Sequence, residues 1–184
     1  MRFEILVIAI LGFTIIAGTA SQAFAASDYF LKIDGVDGES KDDKHKGEID
    51  IMSWSFGASQ SGSMAAGGGG GAGKVVMQDF HFTKSVDKAS PKLFEAIATG
   101  KHLKEAKLVL RSTGGSQVEY LVITLSDVLV SSYSTSGSSG DDRPTESVSF
   151  NFAQIKMSYV EQDAKGSAGA ATEFGWDLKK NTKV

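Results

Sequence analysis

The stretch DFHFTKSVDKASPKLFEAIATGKHLKEAKLVLR, Asp79 to Arg111, decides the fold because it joins a short helix directly to sheet on both sides. Ser90 can cap a helix, Pro91 suits its first position, and Gly100 is placed to end it in a left-handed conformation. Between them Leu93, Phe94, Ala96, Ile97 and Ala98 form an apolar stripe at spacings of three and four, with Lys92 and Glu95 off it. So short a helix is marginal alone and needs a surface to pack on. Burial of the stripe predicts that Phe94→Ala costs roughly 3 kcal/mol. The flanks, Val75 to Phe82 and Leu103 to Leu110, read as strands, which predicts one helix laid over a sheet or against a small barrel.

Outward from this stretch, Tyr29, Leu31 and Ile33 mark a first strand, and the charged segment Asp34 to Lys46 a loop. Ile49 and Ile51 share one parity while Trp54 and Phe56 take the other, so an extra residue is expected near Met52 or Ser53. Val148, Phe150 and Phe152 likewise give way to Ile155, Met157 and Tyr159 on the opposite parity. Two such bulges imply bent strands, as in a barrel. The longest strand is expected from Gln117 to Ser131. Leu121, Ile123, Leu125 and Leu129 line one face, and Tyr120, Val122, Val128 and Val130 the other. Either this strand is central, between helix and core, or a second subunit covers one face. Ser131 to Arg143 and Asp163 to Ala170 read as polar, small-residue connections, and Trp176 as the anchor of the last strand. Gly57 to Gly73 is a small-residue loop containing Gly67, Gly68, Gly69, Gly70 and Gly71 in sequence. It is either a mobile surface feature or a segment ordered by a partner.

The first 25 residues read as an export signal. Arg2 precedes an apolar run from Ile5 to Ala17, and Ala23-Phe24-Ala25 suits a signal peptidase. Cleavage after Ala25 would leave one domain, residues 26–184, exported to the periplasm or beyond; an uncleaved tether is the alternative. The apolar run is short for a bilayer span, which favours an export signal over a retained anchor, and no stable membrane insertion of the mature chain is expected. The chain has no cysteine and a formal net charge of -3. That balance gives no electrostatic case for nucleic acid or an anionic membrane.

Motifs for chemistry fall short in turn. Gly68 to Lys74 has the spacing of a phosphate-binding loop, but Val75 stands where a serine or threonine is needed, and a strand follows instead of a helix. His45, His81 and His102 lack ligand spacing and read as surface or partly exposed residues. Asp34, Asp37 and Glu39 miss the spacing of a calcium loop. No nucleophile elbow occurs, and Asp141-Asp142 sits in a flexible connection. Trp54, Phe56, Phe80, Phe82, Phe150 and Phe152 have the spacing of core strands. No catalytic residue, cofactor or metal is expected. What remains is an assembly protein that works through strand faces, edges and glycine-rich loops.

The residues also carry a resemblance. Tyr29 to Ser40, His45 to Asp50, Ser53-Trp54-Ser55-Phe56-Gly57, the glycine loop ending Gly73-Lys74, and Asp79 to Lys84 resemble the haemolysin-coregulated protein (Hcp) family of the bacterial type VI secretion system. So do Asp87 to Pro91, Leu93-Phe94, Ala98 to His102, Asp127 to Tyr133, Pro144-Thr145-Glu146, Asn151-Phe152 and Gly175 to Lys179. The resemblance covers residues 28 to 181 in order. It implies a β-barrel of two sheets with one flanking helix, forming a homo-hexameric ring that stacks into the inner tube of the system. Spike protein, contractile sheath and effectors are the implied partners, release into the medium the implied fate, and no catalytic residue is carried over. It also implies that Gly57, Gly67 to Gly71, Gly73 and Lys74 contact the neighbouring ring, while spacing alone assigns Trp54, Leu93, Phe94, Ile97 and Trp176 to helix and core. A tube assembled in the cytosol needs no leader. Residues 1–25 therefore suggest an exported paralogue acting as a binding module without a tube, a tether, or a start placed too far upstream.

Overall fold

The computed structural model describes residues 27–60, 73–113, 117–162 and 168–184. Strand β1 (Ser27–Ile33) is flanked by β2 (Ile49–Asp50) on one side and β7 (His102–Ser112) on the other. Beyond β7 follow β8 (Glu119–Ser136), β9 (Thr145–Gln162), β10 (Ala168–Asp177) and β11 (Thr182–Lys183), all antiparallel. The first part of β9 pairs on its free edge with β6 (Phe80–Ser85), which in turn pairs with β3 (Ser53–Ser55).

The parity change after Ile51 is a change of partner. Ile51 N–H donates to the Tyr29 carbonyl at 2.9 Å and Met52 N–H to the Thr83 carbonyl at 2.8 Å. The chain thus leaves β1 and joins β6 within one step. Ile49 and Ile51 point into the core, and Trp54 and Phe56 still pack against it.

The second parity change is a bend shared by two strands. Phe152 and Ala153 are both buried, and opposite them Asp127 has φ 52°, a left-handed conformation costly for a residue with a side chain. Ser126 faces Gln154 and Val128 faces Phe152, so the ladder crosses the bend in register; the slip falls later, between Val130 and Ser132. On the other edge of β9, pairing passes here from β6 to β10. The bend also corrects the reading of β8 as apolar on two faces. Ile123 and Leu125 are buried before it and Val128 and Val130 after it, so one core collects both parities. Leu121, Val122 and Leu129 are half-buried.

The expected loop and strand bounds shift as well. β4 (Ala58–Gln60) pairs with β5 (Val75–Met77) in a separate two-stranded sheet, so both arms of the glycine-rich segment are strands. Val75 to Phe82 is not one strand but breaks at Gln78-Asp79, and Ala168 to Ala170 already belong to β10.

Helix α1 (Ser90–Thr99) closes as expected: Gly100 has φ 64°, and Lys101 N–H returns to the Ala96 carbonyl at 3.0 Å. Its start differs. Ala89 occupies the capping position, and Ser90 Oγ is turned back to accept Asp87 N–H at 3.0 Å. The buried side is Ala89, Leu93 and Ala96, with Ile97 partly covered. Phe94 lies about 100° round the helix from Leu93 and is 58% exposed, its ring meeting Tyr133 edge-on at 5.4 Å. The expectation of a buried Phe94 is therefore corrected. The stripe belongs to residues 89, 93 and 96, and Phe94 is a surface residue. The molecule is mainly β with one helix, curled round a core that includes Leu31, Phe82, Leu108 and Phe150. Among the described residues its ladders do not close into a barrel.

Candidate functional site

A charged knot under the helix ties it to the sheet. The ammonium of Lys84 on β6 is fully buried and donates to Glu146 Oε2 at 2.8 Å, Ser90 Oγ at 3.1 Å and the Ser85 carbonyl at 2.8 Å, with Asp87 Oδ1 at 2.7 Å. The Tyr133 hydroxyl donates to Glu146 Oε1. Burial, and then this carboxylate, push the Tyr133 phenol well above its ordinary range. Three strands and the helix start are thus pinned at one point. The sequence did not reveal it, because a lysine alternating with phenylalanines gives no sign of which side it faces.

A second pin holds the loop between β1 and β2 over the outer face of the sheet. The Arg111 guanidinium, 2% exposed, bonds Asp42 through Nη1 at 2.9 Å and Nη2 at 2.5 Å, and Asp28 at 3.2 Å. This fork, offset in part by burial, holds the Asp42 carboxyl far below the usual carboxylate range. Arg111 also lies 4.9 Å over the Phe30 ring, on which the His45 ring stacks at 4.1 Å. Glu48 Oε2 accepts from His45 Nδ1 across 2.9 Å. It is buried, which corrects its reading as a surface or partly exposed residue.

His81 lies between Ser149 and Ser147, 3.0 Å from each hydroxyl through its two ring nitrogens. Both nitrogens are occupied by hydroxyls, so no carboxylate orients the ring as a hydrolytic triad requires. His102 instead meets Asp127 at 2.6 Å on the surface, where Lys179 shares the same carboxylate. Among the described residues no three His, Asp or Glu converge to hold a metal ion, and no helix is long and apolar enough to cross a membrane.

The residues expected to matter fall in several places. Leu93 is buried, and Ile97, Trp54 and Trp176 are partly buried against the core. Trp54 stacks with Phe56 and Phe80, and Trp176 with Phe174. Gly57 accepts Gln78 N–H at 2.8 Å, and a side chain there would meet Gln78 Oε1 at 2.6 Å. Gly73 accepts a bond from the Gln60 amide, and Lys74 is exposed. Gly67 to Gly71 lie outside the described residues. Other large apolar side chains reach solvent at Met52 (58%) and Val76 (58%). The geometry therefore defines a class: a β-protein whose buried charges serve to pin elements, and whose conspicuous surface features are apolar side chains and a separate two-stranded sheet.

Comparison with known proteins narrows the class. The family model described as type VI secretion system effector, Hcp, matches residues 30–159. The protein hcp1 of Pseudomonas aeruginosa is 54% identical over 161 residues, covering 86% of this chain and 99% of that one. A solved type six secretion system protein superposes with TM-score 0.82 at 36% identity, covering 86% of this chain and all of the other. Hcp1 from Salmonella typhimurium gives TM-score 0.73 at 41% identity over 86% and 99% of the two chains. This chain belongs to the Hcp family of the type VI secretion system.

Proposed function

We propose that this chain is a structural subunit of the type VI inner tube, which forms homo-hexameric rings, stacks them, and carries effectors without catalysing a reaction. The observation that carries this reading is the correspondence with hcp1 over 99% of that protein at 54% identity. Family membership at this level accounts for the whole fold. The surface agrees with it. Phe94 stands out from a helix anchored by a buried ion cluster, and Val76 from a separate hairpin, so both are rigidly presented apolar groups of the kind that copies of a chain cover. The hairpin β4–β5 leads into Gly67 to Gly71, the segment proposed to reach the next ring, with Gly57, Gly73 and Lys74 at its base. Spike and sheath proteins are the proposed further partners.

A second reading follows from residues 1–25. The hcp1 match leaves part of this chain without a counterpart, and an export signal would route the product to the periplasm or medium as a binding module that builds no cytosolic tube. The test is to express the full chain, determine the amino terminus of the product by mass spectrometry, and image it by negative-stain electron microscopy. Six-fold rings, isolated or stacked, support the tube reading. A processed product that shows single particles without rings supports the second.

A further inference from the structure

On the outer face of the sheet the register places three lysines in one row. Lys32 of β1 stands opposite Lys107 of β7, Lys107 opposite Thr124 of β8, Thr124 opposite Lys156 of β9, and Lys156 opposite Gly175 of β10. Like charges directly opposed across a ladder are unfavourable, and intervening Thr124 separates only the second pair. Among the described residues Lys84, Lys92, Lys179 and Lys180 find carboxylates, and these three do not. A groove of about 500 Å³ lies along the row between Lys107 and Lys156, lined also by Val122, Thr124 and Lys183, with Glu173 at its margin. Val184 closes its end over Gly175, where a Cβ would come within 2.9 Å of both Val184 Cγ2 and the Val184 carbonyl oxygen and 3.2 Å of Lys156 Cγ.

We propose that this row is a docking site for a short, extended, acidic polypeptide segment of a partner protein, its carboxylates set on Lys32, Lys107 and Lys156 and a small apolar side chain over Val122. Three facts of placement select that occupant. The row crosses three strand spacings, about 15 Å, the length of four or five extended residues. A single phosphate could not bridge it, and the backbone N–H groups that would ring a phosphate are committed to the ladders on both sides. Finally, the neighbouring rows carry Glu105 on one side and Asp50 and Glu173 on the other, each about 7 Å along its strand from the lysine row. Glu173 is bonded by the Ser158 hydroxyl at 3.3 Å. These carboxylates bracket the positive stripe, so an acidic segment is held in one direction and a long polyanion such as nucleic acid is repelled beyond the stripe. The site uses neither helix α1 nor the β4–β5 hairpin, and so does not depend on the ring reading.

The test is fluorescence anisotropy of a labelled peptide Glu-Asp-Val-Asp-Glu with the purified protein in its native oligomeric state. The isosteric Gln-Asn-Val-Asn-Gln peptide and a single-stranded oligonucleotide of equal charge serve as controls. Saturable binding of the acidic peptide is expected, weakening with added salt and losing about tenfold or more in affinity on Lys107→Glu or Lys156→Glu. Lys107→Gln should lose less, and Lys92→Glu, on the helix, should change nothing. Absence of saturation by about 1 mM, equal weakening by Lys92→Glu, or tighter binding of the oligonucleotide would overturn the proposal.

Discussion

Lys84 and Glu146 form the most deeply buried ion pair among the described residues. Both are almost wholly buried, and each has partners besides the other, Lys84 in Ser90 and Asp87, Glu146 in Tyr133. Lys84→Met leaves the buried Glu146 carboxyl without its cationic partner, so a loss of about 3–5 kcal/mol is expected by denaturant unfolding. Replacing both partners with apolar residues should recover much of it; no recovery would mean that packing, not charge, sets the cost. Asp42 carries a second residue-scale prediction. Its carboxyl is depressed in the folded state by Arg111, so the stabilisation it brings is complete above the ordinary carboxylate range and drains away as pH falls below about 4. Asp42→Asn should flatten the dependence of stability on pH in that acid range and leave its neutral-pH slope alone.

The helix turns on its two ends and one face. Gly100 at φ 64° has open space around its Cα, so Gly100→Ala meets no clash, and its expected cost of about 1 kcal/mol comes from backbone conformation alone. Leu93→Ala should cost about 2–5 kcal/mol, whereas Phe94→Ala should cost under about 1 kcal/mol. Thermal melts of the pair decide which face is buried. Much of this element was legible in sequence, since Pro91, Gly100 and the apolar spacing placed it correctly. Phe94 was misassigned because five apolar residues in a run of six make a stripe wider than the surface that receives it. Ser90 was misassigned because a serine at a helix start can equally accept from a neighbouring strand. The strands teach the same lesson. Alternation marked the parity changes near Met52 and Phe152, but could not say that one is a change of partner and the other a bend through Asp127. That depends on which strands lie alongside, and sequence spacing does not encode it.

At the scale of the whole molecule, ordered resemblance along residues 28 to 181 identified the family, and the comparisons bear it out. What periodicity suggested about assembly has changed its footing. β8 does not offer a second greasy face, because Asp127 turns both parities into one core. Of the exposed large apolar side chains, Met52, Val76, Phe94, Tyr159, Phe174 and Val184, the proposed assembly draws on Phe94, beside Tyr133 on the helix side, and on Val76 of β5. If the chain works by assembling through such groups, native mass spectrometry of residues 26–184 and of its Phe94→Glu variant will separate the two. A six-fold species is expected for the first and a marked shift to lower order for the second, with both folded by circular dichroism. A first protein that stays monomeric at high concentration, or a variant that assembles as fully as its parent, would contradict it.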